Sequence, residues 1–421
     1  MKKHYEPIRD AVYESIDIDS LDNINKKNLQ SQISNFVNRF VESEGIVLSK
    51  ELIDRIAYYI LCDLTGFGFL EDLLSDDNIS EIMVNGKDDV FIEKGGQIYR
   101  SDIEFISEEQ LLNVAKNIAG KVGRKVDSAT PTCDTRLLDG SRVNIVIPPI
   151  ALNGTVITIR KFKKDSLTFA DLVRFNAMSD KLTKFLMLSA RCKLNILVSG
   201  GTGSGKTTML NALSAFIGEH ERIVTIEDTA ELQIQHENVV RLETRHASSE
   251  GTGMITIRDL VVNALRMRPD RVIVGECRGS EAVEMLQAMN TGHDGSMSTL
   301  HANSPMDAIA RVESMVMMAS DSLPLLAIRR MIVSSVDFIV QIKRLHDGSR
   351  KVVKVCEIVG LEGDQVILDD IWVFEQQPEL DLNHKVVGDF VSSGLSKRSV
   401  LYQKSLSMGL SGLLEDIYDE Y

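Results

Sequence analysis

The segment Gly200-Gly-Thr-Gly-Ser-Gly-Lys-Thr207 decides the fold of this 421-residue chain. It fits the pattern G-x-x-x-x-G-K-[ST], follows the apolar run Leu194–Ser199 and precedes an amphipathic stretch, as a loop between a strand and a helix does. Backbone N–H groups of such a loop surround phosphate oxygens, its lysine contacts the β- and γ-phosphates, and its last hydroxyl group binds Mg2+. The segment therefore predicts a nucleotide site. The residues expected to contact the nucleotide are Gly201, Thr202, Gly203, Ser204, Gly205, Lys206, Thr207 and Thr208.

The sequence after Asn195 alternates apolar, strand-like runs with helical stretches. This alternation predicts an α/β fold with a parallel, doubly wound sheet. The dipeptide Asp347-Gly348 is typical of a hairpin turn, so one edge of the sheet is expected to be antiparallel. The strand-like runs are Asn195–Ser199, Arg222–Glu227, Arg271–Gly275, Asp337–Ile342, Lys351–Val359 and Gln365–Phe374.

Carboxylates follow two of these predicted strands. Glu276 is expected at the carboxyl edge of the sheet, where ligands of parallel sheets bind, and we predict that it holds Mg2+ through water. Among Glu227, Asp228 and Glu231, we predict that Glu231 is the base that activates water. Glu227 and Asp228 are predicted to position metal-bound water. The alternatives are an ordinary acidic strand end for Glu276 and solvated loop charges for the other three.

Two histidines, His293 and His301, flank a short apolar run. Eight residues across a strand is poor spacing for two metal ligands. Each histidine alone would more often be structural, but both follow a phosphate-binding loop and a strand-end glutamate. We therefore predict that they detect the γ-phosphate and transmit its state to the next loop.

The first part of the chain has a different organisation. Residues 1–20 are predicted to be a loose tail and residues 21–65 an N-terminal helical bundle, because two stripes of apolar residues recur there at helical spacing. Short strand-like runs around one helical stretch predict a mixed α+β domain over residues 66–160. A charged linker is expected at 161–180, and the nucleotide-binding domain with its C-terminal extension at 181–421.

Composition excludes several classes of protein. The chain has 61 acidic and 47 basic residues, a net charge of -14, which argues against stable nucleic-acid binding. Neither a signal peptide nor a membrane-spanning run is recognisable, so we expect a cytoplasmic protein. Five scattered cysteines without paired spacing indicate buried thiols in a reducing compartment.

These motifs resemble the secretion ATPases of the type II/type IV superfamily over about Leu64–Asp347. The resemblance rests on the phosphate loop, an Asp box at Ile226–Leu232, a Walker B segment that ends in Glu276 and a His box at Thr291–His301, in this order. The Walker B strand of this family ends in glutamate rather than the more usual aspartate. Four ordered boxes with matching spacing are a specific signal.

Three segments suggest a branch within the superfamily. The two His-box histidines are eight residues apart, with Asp294–Ser296 inserted relative to pilus extension and retraction motors. This spacing is similar to conjugation-type secretion ATPases and to the tight-adherence (Flp, type IVc) pilus motors. Phe69–Gly86, Cys133–Val143 and an added N-terminal helical region look most like the tight-adherence motors.

The resemblance implies a homohexameric motor that uses ATP and Mg2+. It implies a RecA-like ATPase domain preceded by an α+β (PAS-like) domain, and work on a pilus through inner-membrane platform proteins at the cytoplasmic face. Catalysis would then involve Lys206, Glu231, Glu276 and His301, with Thr207, Glu276, Glu227 and Asp228 around Mg2+. The side chains expected to contact the phosphates besides the loop are Arg136, Arg142, Arg160, Arg266 and His293.

Other functions stay open at this point. A conjugation-type ATPase that exports protein or DNA is the alternative within the family. An ATP-gated scaffold with little turnover is the alternative from another class, although the presence of both Glu231 and Glu276 argues against it. A small-molecule kinase would leave the His box and the N-terminal extension unexplained.

Overall fold

The computed structural model of the chain describes residues 2–15, 26–162, 167–245, 252–320, 322–381 and 384–418. The chain divides into two compact units, Met1–Lys164 and Asp165–Tyr421. None of the helices within the described ranges combines the length and the apolarity that a membrane crossing requires.

Over its described residues, the first unit contains five helices and a six-stranded antiparallel sheet. The helices are α1 Lys2–Ser15, α2 Lys26–Ser43, α3 Lys50–Thr65, α4 Leu70–Ser75 and α5 Glu108–Lys121. The strands are β1 Ile79–Asn85, β2 Val90–Lys94, β3 Gln97–Arg100, β4 Thr132–Arg136, β5 Arg142–Val146 and β6 Val156–Arg160. The strand order is β3-β2-β1-β6-β5-β4.

One face of this sheet packs onto the core of the unit. Val143 and Ile145 of β5 and Ile157 and Ile159 of β6 are buried and alternate with more exposed residues, as expected for strands with one covered face. The helices and the sheet share a single hydrophobic cluster. The predicted helical region at residues 21–65 and the predicted α+β domain at residues 66–160 therefore lie in one compact unit.

Helix α1 corrects the prediction of a loose tail over residues 1–20. Tyr5, Ile8 and Val12 are fully buried, and their spacing of three and four residues places them on one helical face. The Tyr5 hydroxyl donates a 2.6 Å hydrogen bond to Asp63 of α3, and Gln110 of α5 donates another to the same oxygen at 2.8 Å. This buried network anchors the first helix. Residues 16–20 of the predicted tail lie outside the described ranges.

The second unit contains nine helices, within the described residues, and a nine-stranded sheet. The helices are α6 Phe169–Arg174, α7 Asp180–Arg191, α8 Lys206–Ser214, α9 Ile257–Ala264, α10 Ala282–Asn290, α11 Pro305–Ala319, α12 Leu325–Ser335, α13 Val400–Ser407 and α14 Ser411–Tyr418. The strands are β7 Ile196–Gly200, β8 Ile223–Glu227, β9 Val239–Glu243, β10 Arg271–Val274, β11 Met297–Leu300, β12 Phe338–Arg344, β13 Arg350–Glu362, β14 Gln365–Leu380 and β15 Val386–Ser392. The strand order is β15-β14-β13-β12-β7-β11-β10-β8-β9.

The six strands from β12 to β9 in this order are parallel, and β12 to β15 form antiparallel hairpins. Ile196 and Val198 of β7 belong to one hydrophobic cluster, and Leu197 belongs to another on the opposite face. Helices therefore cover both faces, as the alternating pattern predicts. The predicted hairpin joins β12 to β13, and Gly348 adopts a left-handed φ of 82° in its turn.

The predicted linker at 161–180 contains an ordered element. Helix α6 begins after Thr168, whose hydroxyl accepts a hydrogen bond from the backbone N–H of Asp171, while the Asp171 carboxylate accepts one from the N–H of Thr168. This capping box fixes the start of the helix. Residues 163–166 of the predicted linker lie outside the described ranges.

All five cysteines are buried and free of disulfide bonds, in agreement with the thiols expected from their scattered spacing. They are Cys62, Cys133, Cys192, Cys277 and Cys356.

Candidate functional site

The glycine-rich loop joins the buried strand β7 to helix α8. Gly203 and Gly205 adopt φ values of 67° and 101°, a region that residues with a Cβ atom rarely enter. At Gly200, a Cβ atom would lie only 2.4 Å from the carbonyl oxygen of Ile342 in β12. Glycine is therefore required at these three positions for conformation or for space. The backbone thereby turns at the amino end of α8, where N–H groups favour an anion.

Lys206, the first residue of α8, is buried. Its Nζ donates hydrogen bonds to the carbonyl oxygens of Gly200 and Gly201 at 3.1 and 3.0 Å, and lies 3.4 Å from both ring nitrogens of His301. Burial lowers the pKa of Lys206, and the negative charge of Glu276 acts in the opposite direction. The ammonium group is thus held beside the loop and close to a carboxylate.

Glu276 and His301 lie just beyond the carboxyl ends of β10 and β11. The Oε1 atom of Glu276 is 2.7 Å from Nε2 of His301, and Oε2 accepts a 2.5 Å hydrogen bond from Arg278. Burial lowers the pKa of His301, as does Lys206, while Glu276 partly offsets this effect. The ring and the carboxylate are therefore in close contact, although Oε1 of Glu276 has no hydrogen-bond partner of favourable geometry among the described residues. The structure therefore brings Lys206, Glu276 and His301 together at one edge of the sheet.

Arg278 is a residue of this cluster that sequence reasoning missed. The N–H groups of Arg278 and Gly279 donate to the carboxylate of Glu281 at 2.6 and 2.9 Å, which fixes the turn after Glu276. The only signal in the sequence was the position of Arg278, two residues after the strand-end glutamate.

The carboxylates after β8 have distinct environments. Glu227 is buried, and its Oε1 accepts hydrogen bonds from the backbone N–H groups of Glu231 and Leu232 at 2.8 and 2.9 Å. Asp228 is exposed and accepts a 2.8 Å hydrogen bond from the Thr244 hydroxyl. Glu227 was predicted to position metal-bound water, which stays a prediction; these contacts show in addition that its Oε1 atom holds the loop that carries Glu231.

Two predicted phosphate contacts lie away from this edge. His293 precedes β11, which runs parallel to β7, so it lies at the edge opposite the phosphate loop; its Nδ1 is 3.3 Å from the carbonyl oxygen of Ala288 in α10. Arg266 is exposed in the segment that leads into the amino end of β10. The strands separate both residues from the loop, so the structure removes them from the set of phosphate contacts within this unit.

The three remaining arginines form a row in the first unit. Arg136, Arg142 and Arg160 are direct partners across β4, β5 and β6, and they lie on the face opposite the buried one. Arg136 donates to the carbonyl oxygen of Gly140 at 2.9 Å, and Arg160 is 3.3 Å from Glu81. Like charges directly opposite one another on neighbouring strands are destabilising, and the ion pair with Glu81 offsets part of this effect at Arg160.

The residues at the loop fit a magnesium ion. Within the described ranges, no group of three or more His, Cys, Asp or Glu side chains is arranged to hold a metal. Mg2+ at nucleotide sites needs no such cage, because it keeps several waters and uses one or two protein oxygens with the substrate phosphates. The hydroxyl of Thr207, in the first turn of α8, and the carboxylate of Glu276 are suitable donors.

Comparisons with known proteins agree with these motifs. The profile of the family described as "Type II/IV secretion system protein" matches residues 63–377. The conjugal transfer protein TrbB of Rhizobium radiobacter is 33% identical over 296 residues, which cover 69% of this chain and 86% of that protein. The type IV secretion system protein VirB11 of Bartonella henselae is 31% identical over 333 residues, which cover 69% of this chain and 92% of that protein.

Among solved structures, the pilus retraction motor PilT with bound ADP is similar in fold. The TM-score is 0.51 at 20% identity, over 83% of this chain and 89% of that chain. The family profile covers the phosphate loop, Glu276 and His301, and extends over well more than half of the sequence. The chain therefore belongs to the type II/IV secretion system protein family.

Proposed function

We propose that this chain hydrolyses ATP and acts as a conjugation-type (type IV) secretion ATPase. The observation that carries the proposal is the convergence of Lys206, Glu276 and His301 beside a loop with the backbone of a phosphate-binding site. Catalysis of phosphoryl transfer depends mainly on positioning and on positive charge near the phosphates. The buried ammonium of Lys206 and the N–H groups at the start of α8 provide both.

Glu231 is the base in this proposal. It accepts the proton of the water whose oxygen attacks the γ-phosphorus, while the bond from that phosphorus to the oxygen of the ADP leaving group breaks. Glu227 contributes indirectly, because its hydrogen bonds to the N–H groups of Glu231 and Leu232 fix the loop. Mg2+, held by Thr207 and Glu276, would neutralise phosphate charge when it is bound.

The row of Arg136, Arg142 and Arg160 supports a role in binding phosphate oxygens. The three guanidinium groups lie at facing positions of the sheet, so positive charge is concentrated on one face of this unit. Arginine is also suited to phosphate because it donates two parallel hydrogen bonds.

The conjugation branch is favoured by the relatives. TrbB and VirB11 are named as conjugal transfer and type IV secretion proteins, and this chain covers most of their length. We further propose a homohexamer with RecA-like ATPase domains that lies at the cytoplasmic face and binds inner-membrane components of a secretion system. The exported substrate is a protein or DNA.

ATP turnover by the purified chain with Mg2+ tests the activity. Glu231→Gln and Glu276→Gln are expected to lower kcat by about 10²-fold or more while ATP still binds in calorimetry. Glu219→Gln, at an exposed position after α8, is the matched control and should leave kcat unchanged. Binding of ATP without turnover by the unaltered chain would reject the hydrolase and favour the ATP-gated scaffold.

A tight-adherence pilus motor is the second candidate. It is favoured by helices α1 and α2 and most of α3, which precede the residues matched by the family profile and resemble the helical extension expected of that branch. Deletion of the gene separates the two candidates. Loss of conjugal or effector transfer with intact pili supports the first, and loss of surface pili with intact transfer supports the second.

A further inference from the structure

A cavity of about 310 Å³ lies beside the phosphate loop within the second unit. On one side are residues of the loop itself, and on the other the end of β12 and the segment after β11. Its polar lining includes Thr202, Ser204, Asn303, Gln341, Lys343 and Arg344. None of the last four was among the residues predicted from the sequence motifs.

The hairpin of β12 and β13 brings positive charge to this cavity. Arg344 and Arg350 are direct partners at the end of the hairpin, and Nε of Arg350 donates a 2.8 Å hydrogen bond to the carbonyl oxygen of Gly203. A Cβ atom on Gly203 would lie 3.9 Å from a terminal nitrogen of Arg344. Two guanidinium groups of the same unit therefore reach the middle of the phosphate loop.

This charge is not neutralised by the carboxylate nearest in sequence. Asp347, in the hairpin turn, accepts hydrogen bonds from Ser349 through Oδ1 and from the backbone N–H of Val386 through Oδ2. Within the described parts of the chain, neither Lys343 nor Arg344 forms an ion pair with an acidic side chain. Both side chains are exposed and lie at the cavity. The cavity therefore favours an anion.

Gln341 adds a hydrogen-bond acceptor. Its side chain is 3% exposed, and Nε2 donates to the carbonyl oxygen of Ala302 at 3.1 Å, which fixes the orientation of the amide. Oε1 has no hydrogen-bond partner among the described residues. A buried acceptor without a partner is unfavourable, so this position suits a ligand that donates an O–H or N–H group.

We propose that this cavity is a subsite for the inorganic phosphate released by hydrolysis. At neutral pH hydrogen phosphate carries both negative oxygens and an O–H group. Its negative oxygens can accept hydrogen bonds from Lys343 and Arg344, and its O–H group can donate a hydrogen bond to Oε1 of Gln341. The fully ionised phosphates of ADP have no O–H group, and neither does sulfate. The phosphate would come from the ATP hydrolysis proposed above. It would leave the phosphate loop through this cavity.

Calorimetric titration of inorganic phosphate into the full chain saturated with ADP and Mg2+ tests the subsite. The unaltered chain is expected to bind phosphate, and Arg344→Gln is expected to weaken this binding tenfold or more. Arg330→Gln, an exposed arginine on α12, is the matched control and should bind phosphate as the unaltered chain does. ADP itself should bind all three proteins equally, which excludes a general loss of folding.

Two further measurements assign the chemistry. Sulfate should bind at least tenfold more weakly than phosphate, and Gln341→Met should remove this preference. In turnover assays, Arg344→Gln should raise the inhibition constant of added phosphate and leave the KM for ATP within twofold. Absence of phosphate binding in the presence of ADP, equal binding by Arg344→Gln, or equal affinity for sulfate would each overturn the proposal. Because the titration requires no turnover, a chain that binds phosphate but does not hydrolyse ATP would refute the proposed function alone.

Discussion

Replacement of Gly275 by alanine tests the link between the sheet edge and the proposed base. Gly275 lies between β10 and Glu276, and its N–H donates to the carbonyl oxygen of Ile226 at 2.8 Å. A Cβ atom at this position would lie 2.7 Å from Cγ and 3.1 Å from Oε1 of Glu227. Real Cβ atoms essentially never approach a carbon that closely, so the Glu227 side chain has to move.

The size of the effect follows from the environment of Glu227. The side chain is 4% exposed, so it has little space in which to move, and overpacking of this kind costs about 1–3 kcal/mol of folding stability. Movement of Oε1 also weakens its hydrogen bonds to the N–H groups of Glu231 and Leu232, each worth about 1.5–3 kcal/mol when the acceptor is charged. A displacement of Glu231 by about 1 Å is expected to lower kcat about 10²-fold.

Steady-state ATP turnover and ATP binding should be measured on the same preparation. We expect Gly275→Ala to lower kcat while the Kd for ATP stays within about threefold, because the phosphate loop follows a different strand. Gly412→Ala is the matched control, since no atom lies within 4 Å of the added methyl group. An unchanged kcat would refute the role of Glu227 in positioning Glu231. A parallel loss of ATP binding would show that the substitution acts on the phosphate loop instead.

Three further predictions concern ion pairs and hydrogen bonds described above. Arg271 is fully buried and pairs with Glu221 at 2.8 and 2.9 Å, so Arg271→Leu should cost about 3–5 kcal/mol in urea unfolding at pH 7. Burial raises the pKa of Glu221, but the hydrogen bonds and charge of Arg271, with smaller contributions from Lys193 and the N–H of Gly218, outweigh burial and lower the pKa to about 2. The resulting stabilisation is complete above the ordinary glutamate pKa of about 4.3 and is lost as the pH falls toward 2, so the difference in unfolding free energy between the two proteins should become smaller over this range. Tyr5→Phe removes the hydroxyl that donates to Asp63, so it should lower the free energy of local opening of α1 by about 1–3 kcal/mol and speed amide hydrogen exchange in that helix. Unchanged exchange would contradict the anchoring role of Tyr5. Burial and Lys206 lower the pKa of His301, so kcat is expected to fall at acidic pH with a midpoint below about pH 6.5. This pH dependence should disappear in His301→Gln. If kcat of that variant still falls over the same pH range, another group is responsible.

The sequence predicted the part of the site that depends on strand ends. Parallel strands place their carboxyl ends at one edge, so Lys206, Glu276 and His301 could be expected to meet even though 70 and 25 residues separate consecutive members. The same rule explains why the predicted phosphate contact of His293 was wrong. The four residues of β11 lie between the two histidines, so His293 and His301 lie at opposite edges of the sheet.

Contacts that depend on strand order could not be predicted. The strand β12 lies directly beside β7, although β12 begins 138 residues after the end of β7. Periodicity alone does not reveal this neighbour, so Gln341, Arg344 and Arg350 had no visible connection to the phosphate loop. Helix α1 was missed for another reason, since its three buried residues are scattered among charged ones and the signal is short.

The burial of all five cysteines makes the chain suited to site-specific labelling. Burial raises the pKa of the Cys62 thiol to about 11, and it also raises the pKa of the other four thiols. Maleimide dyes react with exposed thiolates, so these side chains are poor targets at neutral pH. Cysteines introduced at Leu138 and His346, two exposed positions in different units, would react selectively. Energy transfer between two such dyes would follow the units through a nucleotide cycle without removal of any native cysteine.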